Sequence, residues 1–292
     1  MLIKDAIKFG QDNKLNNIDV RELLKFILKV DESYLIIHNN EYELNQNEEK
    51  SFKDYCQKIK AGYPLQYITH KQNFYGNEFY VDENVLIPQP DTEILVHEAI
   101  EEIKKKDNQS NIKVIDLCTG SGAIAISIKK EVPQVKMYAS DISDEAIEVA
   151  KRNTKIILEN KKDDDTNLLT VRTQKDSKEK ILFIKSNMFE EIPEGLKFDI
   201  IVSNPPYIKE KDMETLPKDV LHEPKIALLG GEDGLDFYRI IRREAPKYLN
   251  ENGVVFLEIG YDEKEELLKL FEGAKCIKDF AGNDRVIYWK KQ

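Results

Sequence analysis

The sequence is poor in the residues that staple small folds. Its 292 residues hold three cysteines, Cys56, Cys118 and Cys276, widely spaced, with no Cys-x-x-Cys pair and no matching histidine spacing. That excludes a disulfide framework and a structural zinc site, and all three read as reduced, buried thiols. The four histidines, His38, His70, His97 and His222, are scattered and read as structural or surface residues, so no metal is expected. No apolar run approaches the roughly 18 residues that a membrane span requires, and Met1 to Ala6 lacks a basic flank followed by an apolar stretch. The expectation is a cytoplasmic protein with no membrane partner. A basic surplus is also missing: 44 Lys and Arg stand against 54 Asp and Glu, a net charge of -10. Proteins that neutralise many phosphates usually carry a basic face, so no duplex DNA partner is expected. Glycine (13) and proline (10) are too few for a collagen-like or low-complexity chain. What remains is a globular protein long enough for about two domains.

The pattern of the chain divides it. Ile18, Val20, Leu23, Leu24, Ile27 and Leu28 recur at helical spacing, as do Phe52, Tyr55, Cys56 and Ile59, which predicts a small helical bundle up to about residue 61. Residues 62–85 change character, with Gly62, Pro64, Gly76 and the aromatic stretches Phe74-Tyr75 and Phe79-Tyr80, as suits a short β-hairpin or extended linker. Beyond it, apolar runs alternate with helical patterns. Strands are expected at 113–118, 135–140, 181–185, 198–203, 254–259, 274–280 and 286–289, and helices at 92–106, with Asp91 as N-cap, then 123–130, 143–153, 235–249 and 263–271. This order predicts an α/β domain with a mostly parallel sheet and an antiparallel edge at its end. The Lys, Asp, Thr and Gln-rich stretch 160–180 reads as a solvated surface loop.

Three features carry chemistry. The first is Val114-Ile-Asp-Leu-Cys-Thr-Gly-Ser-Gly122, a strand entering a glycine turn and then a helix. Gly120 and Gly122 let the backbone bend and approach a ligand, and the helix N-terminus offers unpaired N–H groups. With Ala125 in place of a third glycine, the turn suits NAD, FAD or S-adenosylmethionine, and a plain packing turn has the same pattern. The second is Asp141, about 20 residues further on at the end of the next strand, where a carboxylate can accept both hydroxyls of a ribose or cap the following helix. Together the two features point to an adenosine derivative. The third is Ser203-Asn-Pro-Pro-Tyr-Ile208 after the strand at 198–203. Adjacent prolines cannot continue a central strand, so this is a rigid loop at the sheet edge where open α/β folds bind ligands. The Asn204 side-chain carbonyl and the Pro205 backbone carbonyl can accept both N–H bonds of a planar amino group, with Tyr207 stacked on its plane. An amide or exocyclic amine is a poor nucleophile because its lone pair is delocalised, so such a site must hold it and aim it at an electrophilic carbon. The methylsulfonium of S-adenosylmethionine suits this arrangement, whereas hydride transfer has no use for it.

On these residues the chain resembles the S-adenosylmethionine-dependent methyltransferases, and within them the peptide chain release factor N5-glutamine methyltransferases. The likeness extends through Pro64-Leu-Gln-Tyr-Ile68, Phe74-Tyr-Gly76, Val85-Leu-Ile-Pro-Gln-Pro-Asp-Thr-Glu93, Glu223-Pro224, Ala227-Leu-Leu-Gly-Gly231, Asp233-Gly-Leu235, Tyr238-Arg239, Asp279 and Gly282-Asn-Asp-Arg285. The resemblance implies a helical N-terminal substrate-recognition domain over 1–72, a β-hairpin linker over 73–90, and a Rossmann-like class I methyltransferase domain with a seven-stranded sheet over 91–292. It implies methylation of the glutamine in the Gly-Gly-Gln (GGQ) loop of class I release factors, with S-adenosylhomocysteine as second product. Carried over by position, it places cofactor-binding roles on Cys118, Thr119, Gly120, Ser121, Gly122, Asp141, Asn187, Met188 and Asn204. Substrate-binding roles fall on Asn204, Pro205, Pro206 and Tyr207, with Asn204, Pro205 and Tyr207 catalytic. Gln89 stands where many relatives carry Arg, and Asn187 where Asp is usual, which implies a lost salt bridge and an uncharged hydrogen bond to adenine. The resemblance also places Asp91, Thr92 and Glu93 near the cofactor.

Three rival functions use parts of the same pattern. N6-adenine methylation of DNA or RNA needs the same loop, but the acidic balance and the lack of a basic target-recognition region speak against it. Glutamine methylation of a ribosomal protein goes with an Arg-Ser-Pro-type segment where this chain has Pro88-Gln-Pro-Asp-Thr-Glu93. A non-catalytic cofactor-binding module leaves the complete Asn204 to Tyr207 loop unexplained. Tyr288 and Trp289, in the last strand, read as core residues.

Overall fold

A computed structural model describes residues 1–106, 109–159, 181–279 and 281–291; the predicted loop at 160–180 lies outside them. The chain forms two compact units, one of Met1–Lys71 with Leu216–His222, the other of Gln72–Thr215 with Glu223–Gln292. The hairpin segment thus falls inside the second unit.

The first unit is helical: α1 (Ile3–Asp12), α2 (Asn17–Leu28), α3 (Glu32–Ile37), α4 (Gln46–Lys60) and α5 (Leu65–Thr69). Its helices start where short polar side chains can occupy their free N–H groups. Asn16 accepts from Ile18 N, Asp31 from Tyr34 N, and Asn45 and Glu48 form a reciprocal capping box at the head of α4. Their apolar faces meet in a core built on Ile3, Val20, Leu23, Leu24, Leu35 and Phe52.

The second unit opens with a hairpin, β1 (Gln72–Phe74) and β2 (Asn77–Phe79), turned through Tyr75 and Gly76, both with positive φ (47° and 70°). A short 3-10 turn over Pro90–Thr92 leads into α6 (Glu93–Lys104). There follow β3 (Lys113–Leu117), α7 (Ala123–Glu131), β4 (Lys136–Asp141), α8 (Asp144–Ile157), β5 (Leu182–Lys185) and β6 (Phe198–Ser203). The chain ends with α9 (Lys225–Leu228), α10 (Asp236–Tyr248), β7 (Leu249–Glu258), α11 (Lys264–Leu270), β8 (Lys275–Lys278) and β9 (Asp284–Lys290). Seven strands form one sheet in the order β5-β4-β3-β6-β7-β9-β8, parallel except for β9, which runs antiparallel to both its neighbours. The α/β class, the parallel sheet and its antiparallel edge agree with the sequence pattern.

The central strands are apolar on both sides because both faces are covered. Val114, Ile200 and Val254 face a core shared with α6 and α7, while their neighbours Ile115, Ile201 and Val255 face one shared with α10 and α11. The order of strands reverses direction at the β3–β6 junction, the position where open α/β sheets leave a crevice beyond their carboxyl ends. Among the described residues, no helix is long and apolar enough to cross a membrane.

One buried side chain ties the segment after β2 to α8. Asn153 is fully buried; its Oδ1 accepts from Tyr80 N at 2.7 Å, and its Nδ2 donates to the carbonyls of Tyr80 (3.0 Å) and Ser121 (2.9 Å). Asn153→Ala strands three backbone groups and is expected to lower unfolding stability by about 2 kcal/mol, measured by denaturant titration. A loss below a few tenths of that would contradict this role.

Candidate active site

The site begins where β3 stops. After Leu117 the backbone enters the left-handed region at Cys118 (φ 58°), Gly120 (53°) and Gly122 (81°). The two glycines do different work. A Cβ on Gly120 would meet nothing within 4 Å, so this part of the turn borders open space, whereas a Cβ on Gly122 would sit 2.9 Å from Ile126 Cδ1 and 3.1 Å from Ala150 Cβ. Gly122 therefore lets α8 approach α7, and Gly120 leaves its side of the turn open.

Two of the predicted turn residues point inward. Thr119, 6% exposed, donates from Oγ1 to Asp116 Oδ2 at 2.6 Å, and Ser121 is buried with its carbonyl held by Asn153. Asp116 itself is wholly buried. Burial pushes its carboxyl up to about 7, against hydrogen bonds from Thr119 and Ala125 N, and its Oδ1 has no hydrogen-bond partner among the described residues.

Asp141 ends β4. Its Oδ2 accepts from Gly120 N at 2.8 Å and its Oδ1 from Ser143 N at 3.0 Å, so the acid and the glycine turn are one unit. Burial raises its carboxyl above the ordinary range, and the N–H groups of Ser143, Gly120 and Ile142 pull it back. The helix-cap alternative does not hold for Asp141, because Ser143 caps α8 by accepting from Ala146 N.

A cavity of about 280 Å³ lies at these strand ends. Of the residues singled out in the sequence, Cys118, Asp141, Asn187, Met188, Asn204 and Pro206 line it. Thr119, Gly120, Ser121, Gly122, Pro205 and Tyr207 are not part of its lining, although Gly120 meets Asp141 directly. Leu86, from the segment 85–93, gives the wall an apolar side together with Ile226 and Phe237, which no motif had marked. Met188 adopts φ 54°, its carbonyl held by Ser186 Oγ at 2.9 Å, and its Sδ lies 3.6 Å from Cys118 Sγ. The Asn187 amide donates to Glu190 Oε1 at 3.0 Å.

Asn204 follows β6 across from the glycine turn. Register pairs Ser203 with Leu117, and Ser203 Oγ donates to the Leu117 carbonyl at 2.7 Å, which locks the two strand ends together. Asn204 Nδ2 donates to Thr92 Oγ1 at 3.3 Å. Pro205 and Pro206 are buried. The loop is then gripped by Ile208, which donates to the Leu228 carbonyl (2.8 Å) and accepts from Gly230 N (2.9 Å). Burial pushes the Tyr207 phenol well above its usual range, with the charges of Glu258 and Glu263 adding to it.

Gly230 explains the motif after α9. A Cβ there would lie 2.7 Å from both Tyr207 Cα and the Gly234 carbonyl and 2.8 Å from the Pro206 carbonyl, all backbone. Gly230→Ala is expected to cost about 1–3 kcal/mol in stability by overpacking and to shift the loop. Thermal unfolding beside a turnover assay checks this; wild-type values in both would show that the close approach is not needed.

The segment before α6 is a bracing element and not a cap. No side chain caps α6, so the expected capping by Asp91 is not met: Asp91 instead pairs with Arg285 at 2.8 Å, and Arg285 also reaches Asp279 at 3.4 Å. The Glu93 carboxylate accepts from Tyr75 N at 2.8 Å. The Gln89 side chain donates to the Ile87 carbonyl, and Ile87 N donates to buried Glu223 at 2.9 Å. Tyr288 and Trp289 belong to the cores, as expected. Thr92, Glu258 and Arg285 are the site neighbours that the strand pattern did not reveal. Glu258 had one available signal, an acid inside the apolar run Val254 to Ile259, the same signal that Asp116 gives in β3.

Comparison with known proteins agrees with this geometry. Residues 92–231 match the family described as the methyltransferase small domain, and residues 2–69 match the PrmC N-terminal domain. A release factor glutamine methyltransferase of Clostridium acetobutylicum is 41% identical over 276 residues, covering 92% of this chain and 89% of the relative. One from Bacillus cereus is 35% identical over 294 residues, covering 98% and 96%. The crystal structure of a methyltransferase from Pyrococcus furiosus has a similar fold, with a TM-score of 0.51 at 20% identity, over 82% of this chain and 98% of that one. On full-length likeness to the first two, the chain belongs to the release factor glutamine methyltransferase family.

Proposed function

We propose that this protein transfers a methyl group from S-adenosylmethionine to the side-chain amide nitrogen of the glutamine in the GGQ loop of class I release factors. The observation that carries the reading is the Asn204-Pro-Pro-Tyr207 loop at the end of β6, with Asn204 on the wall of the cavity that Asp141 also lines.

The residues present fit the cofactor. Open space beside Gly120, a carboxylate beside it and an apolar wall suit an adenosine group. Asp141 holds the ribose hydroxyls through its remaining lone pairs, Asn187 meets the adenine edge beside Met188, and the backbone of Cys118 to Gly122 faces the amino-acid end. When bound, S-adenosylmethionine supplies an electrophilic methyl on a positively charged sulfur.

The protein's part is orientation. Asn204 Oδ1 and the Pro205 carbonyl accept the two N–H bonds of the glutamine amide, and Tyr207 covers its plane, so that nitrogen is aimed at the methyl. The amide nitrogen gains the methyl and gives up one proton to water; no strong base is required. The helical unit recognises the release factor.

Labelled methyl transfer tests the reading, with purified release factor, a copy lacking the loop glutamine, and DNA as parallel acceptors. Label on the intact factor alone is expected. Label on DNA alone would replace this reading with adenine methylation.

A further inference from the structure

Glu258 is a buried ionisable group next to Asn204 that this chemistry does not use. Glu258 ends β7, beside the strand end that carries Asn204; it is 2% exposed, and its Oε2 has no hydrogen-bond partner among the described residues. The side chains of Thr92 and Asn204 both face its carboxyl and favour its ionised form, as does Arg285 from β9. Asp91, Tyr207, Tyr238 and Glu263 are the other charged or titratable groups turned towards this region, and the Tyr238 phenol donates to the Glu258 backbone carbonyl at 2.8 Å.

The two ends of a carboxamide have the same shape, so only its hydrogen-bond network decides which end faces a cavity. Asn204 Nδ2 donates to Thr92 Oγ1, which leaves the Thr92 hydroxyl hydrogen to be donated onward, and a carboxylate can only accept. Both side chains therefore turn their hydrogens towards the Glu258 carboxylate, Asn204 donating to Thr92 as well, and Oδ1 of Asn204 is the end left for the cavity. We propose that Glu258, together with Thr92, is the positioning residue that sets which end of the Asn204 carboxamide meets the substrate amide. This rests on the reading of Asn204 as the amide acceptor.

The arrangement has a pH sign. Burial pushes the Glu258 carboxyl up to about 7, with Thr92, Arg285 and Asn204 opposing the shift. Above that range the carboxylate accepts and Asn204 presents Oδ1. Below it the neutral acid donates to Thr92, the hydroxyl turns to donate to Asn204, and the carboxamide presents its NH2 to the N–H bonds of the substrate, donor against donor. Turnover is expected to fall as pH falls through about 7, without a matching loss of cofactor affinity.

The test uses the full chain with S-adenosylmethionine and release factor. Thr92→Val, nearly isosteric, is expected to lower kcat by about 10²-fold while the cofactor Kd stays within about twofold; Thr92→Ser, which keeps the hydroxyl, restores most of kcat. Glu258→Gln is expected to remove the acid limb of the kcat profile. An unchanged kcat in Thr92→Val, or an acid limb that survives in Glu258→Gln, would overturn the proposal. A second readout needs no turnover and so separates this proposal from the choice of substrate: the Asn204 side-chain NH2 resonance is expected to move through a titration near pH 7 in the wild type and to stay still in Glu258→Gln. A resonance that stays still in both, or moves alike in both, contradicts it.

Discussion

Replacing Asn204 with alanine is expected to lower methyl transfer by about 10³-fold while the Kd for S-adenosylmethionine rises by no more than about threefold. The size follows from what the side chain does. A primary amide has no lone pair ready for attack, so most of the rate must come from holding it in one orientation, and in the proposed role Asn204 supplies one of the two acceptors that define it. The second acceptor, the Pro205 carbonyl, is kept in place by the buried prolines and the Gly230 contact, so the variant retains the loop. The first is not replaced by water in a productive geometry. Asn204→Ala also leaves the Thr92 hydroxyl without its donor, a small structural cost beside the kinetic one. Isothermal titration and single-turnover transfer separate the two effects. Near-normal turnover would remove Asn204 from the chemistry, and an equal loss in binding and turnover would make it a cofactor residue only.

Asp141→Ala is expected to weaken S-adenosylmethionine binding by about 10²-fold. Two losses combine. In the proposed binding mode the ribose hydroxyls lose an ionised acceptor, worth about 1.5–3 kcal/mol for hydrogen bonds to a charged group. The N–H groups of Gly120 and Ser143 also lose the carboxylate that holds the turn against β4. Asp141→Asn keeps the shape but exchanges one acceptor oxygen for a donor, so it falls between wild type and alanine. With saturating cofactor, both variants recover much of their kcat, because Asp141 does not touch the methyl acceptor. An unchanged Kd in the alanine variant would take Asp141 out of the site.

Strands were the most legible part of this fold, for a physical reason. Strands covered on both faces are largely apolar, and residues 114–117 of β3, 200–202 of β6 and 254–257 of β7 appear in the sequence as such runs. Where a boundary was missed, a tertiary contact decided it. Strand β7 begins at Leu249 rather than 254 because Leu249 pairs with Phe198 ahead of a shift in register. Helix α6 starts without a cap because Asp91 and Thr92 are drawn to Arg285 and Asn204, partners 194 and 112 positions away that no local pattern reveals.

The site divides in the same way. Cys118, Asp141, Asn187, Met188, Asn204 and Pro206 were readable because a glycine turn, a strand-end acid and a proline loop have local signatures, and the sheet brings their ends together. Thr119 and Ser121 looked alike in sequence to the cavity-lining candidates, yet both are buried, Thr119 bonding to Asp116 and the Ser121 carbonyl to Asn153, because the path of a left-handed turn is set by φ and not by residue type. Glu258 gave a local signal, an acid in an apolar run, but not its place beside Asn204, which depends on β7 lying between β6 and β9.

The most direct test of the central claim is to locate the transferred methyl group. Release factor incubated with the protein and S-adenosylmethionine is digested, and the loop peptide is fragmented by tandem mass spectrometry. One added methyl on the side-chain amide of the loop glutamine is expected, absent when Asn204→Ala replaces the wild type. A methyl on any other residue, or an unmodified loop under conditions where the cofactor is consumed, would contradict it.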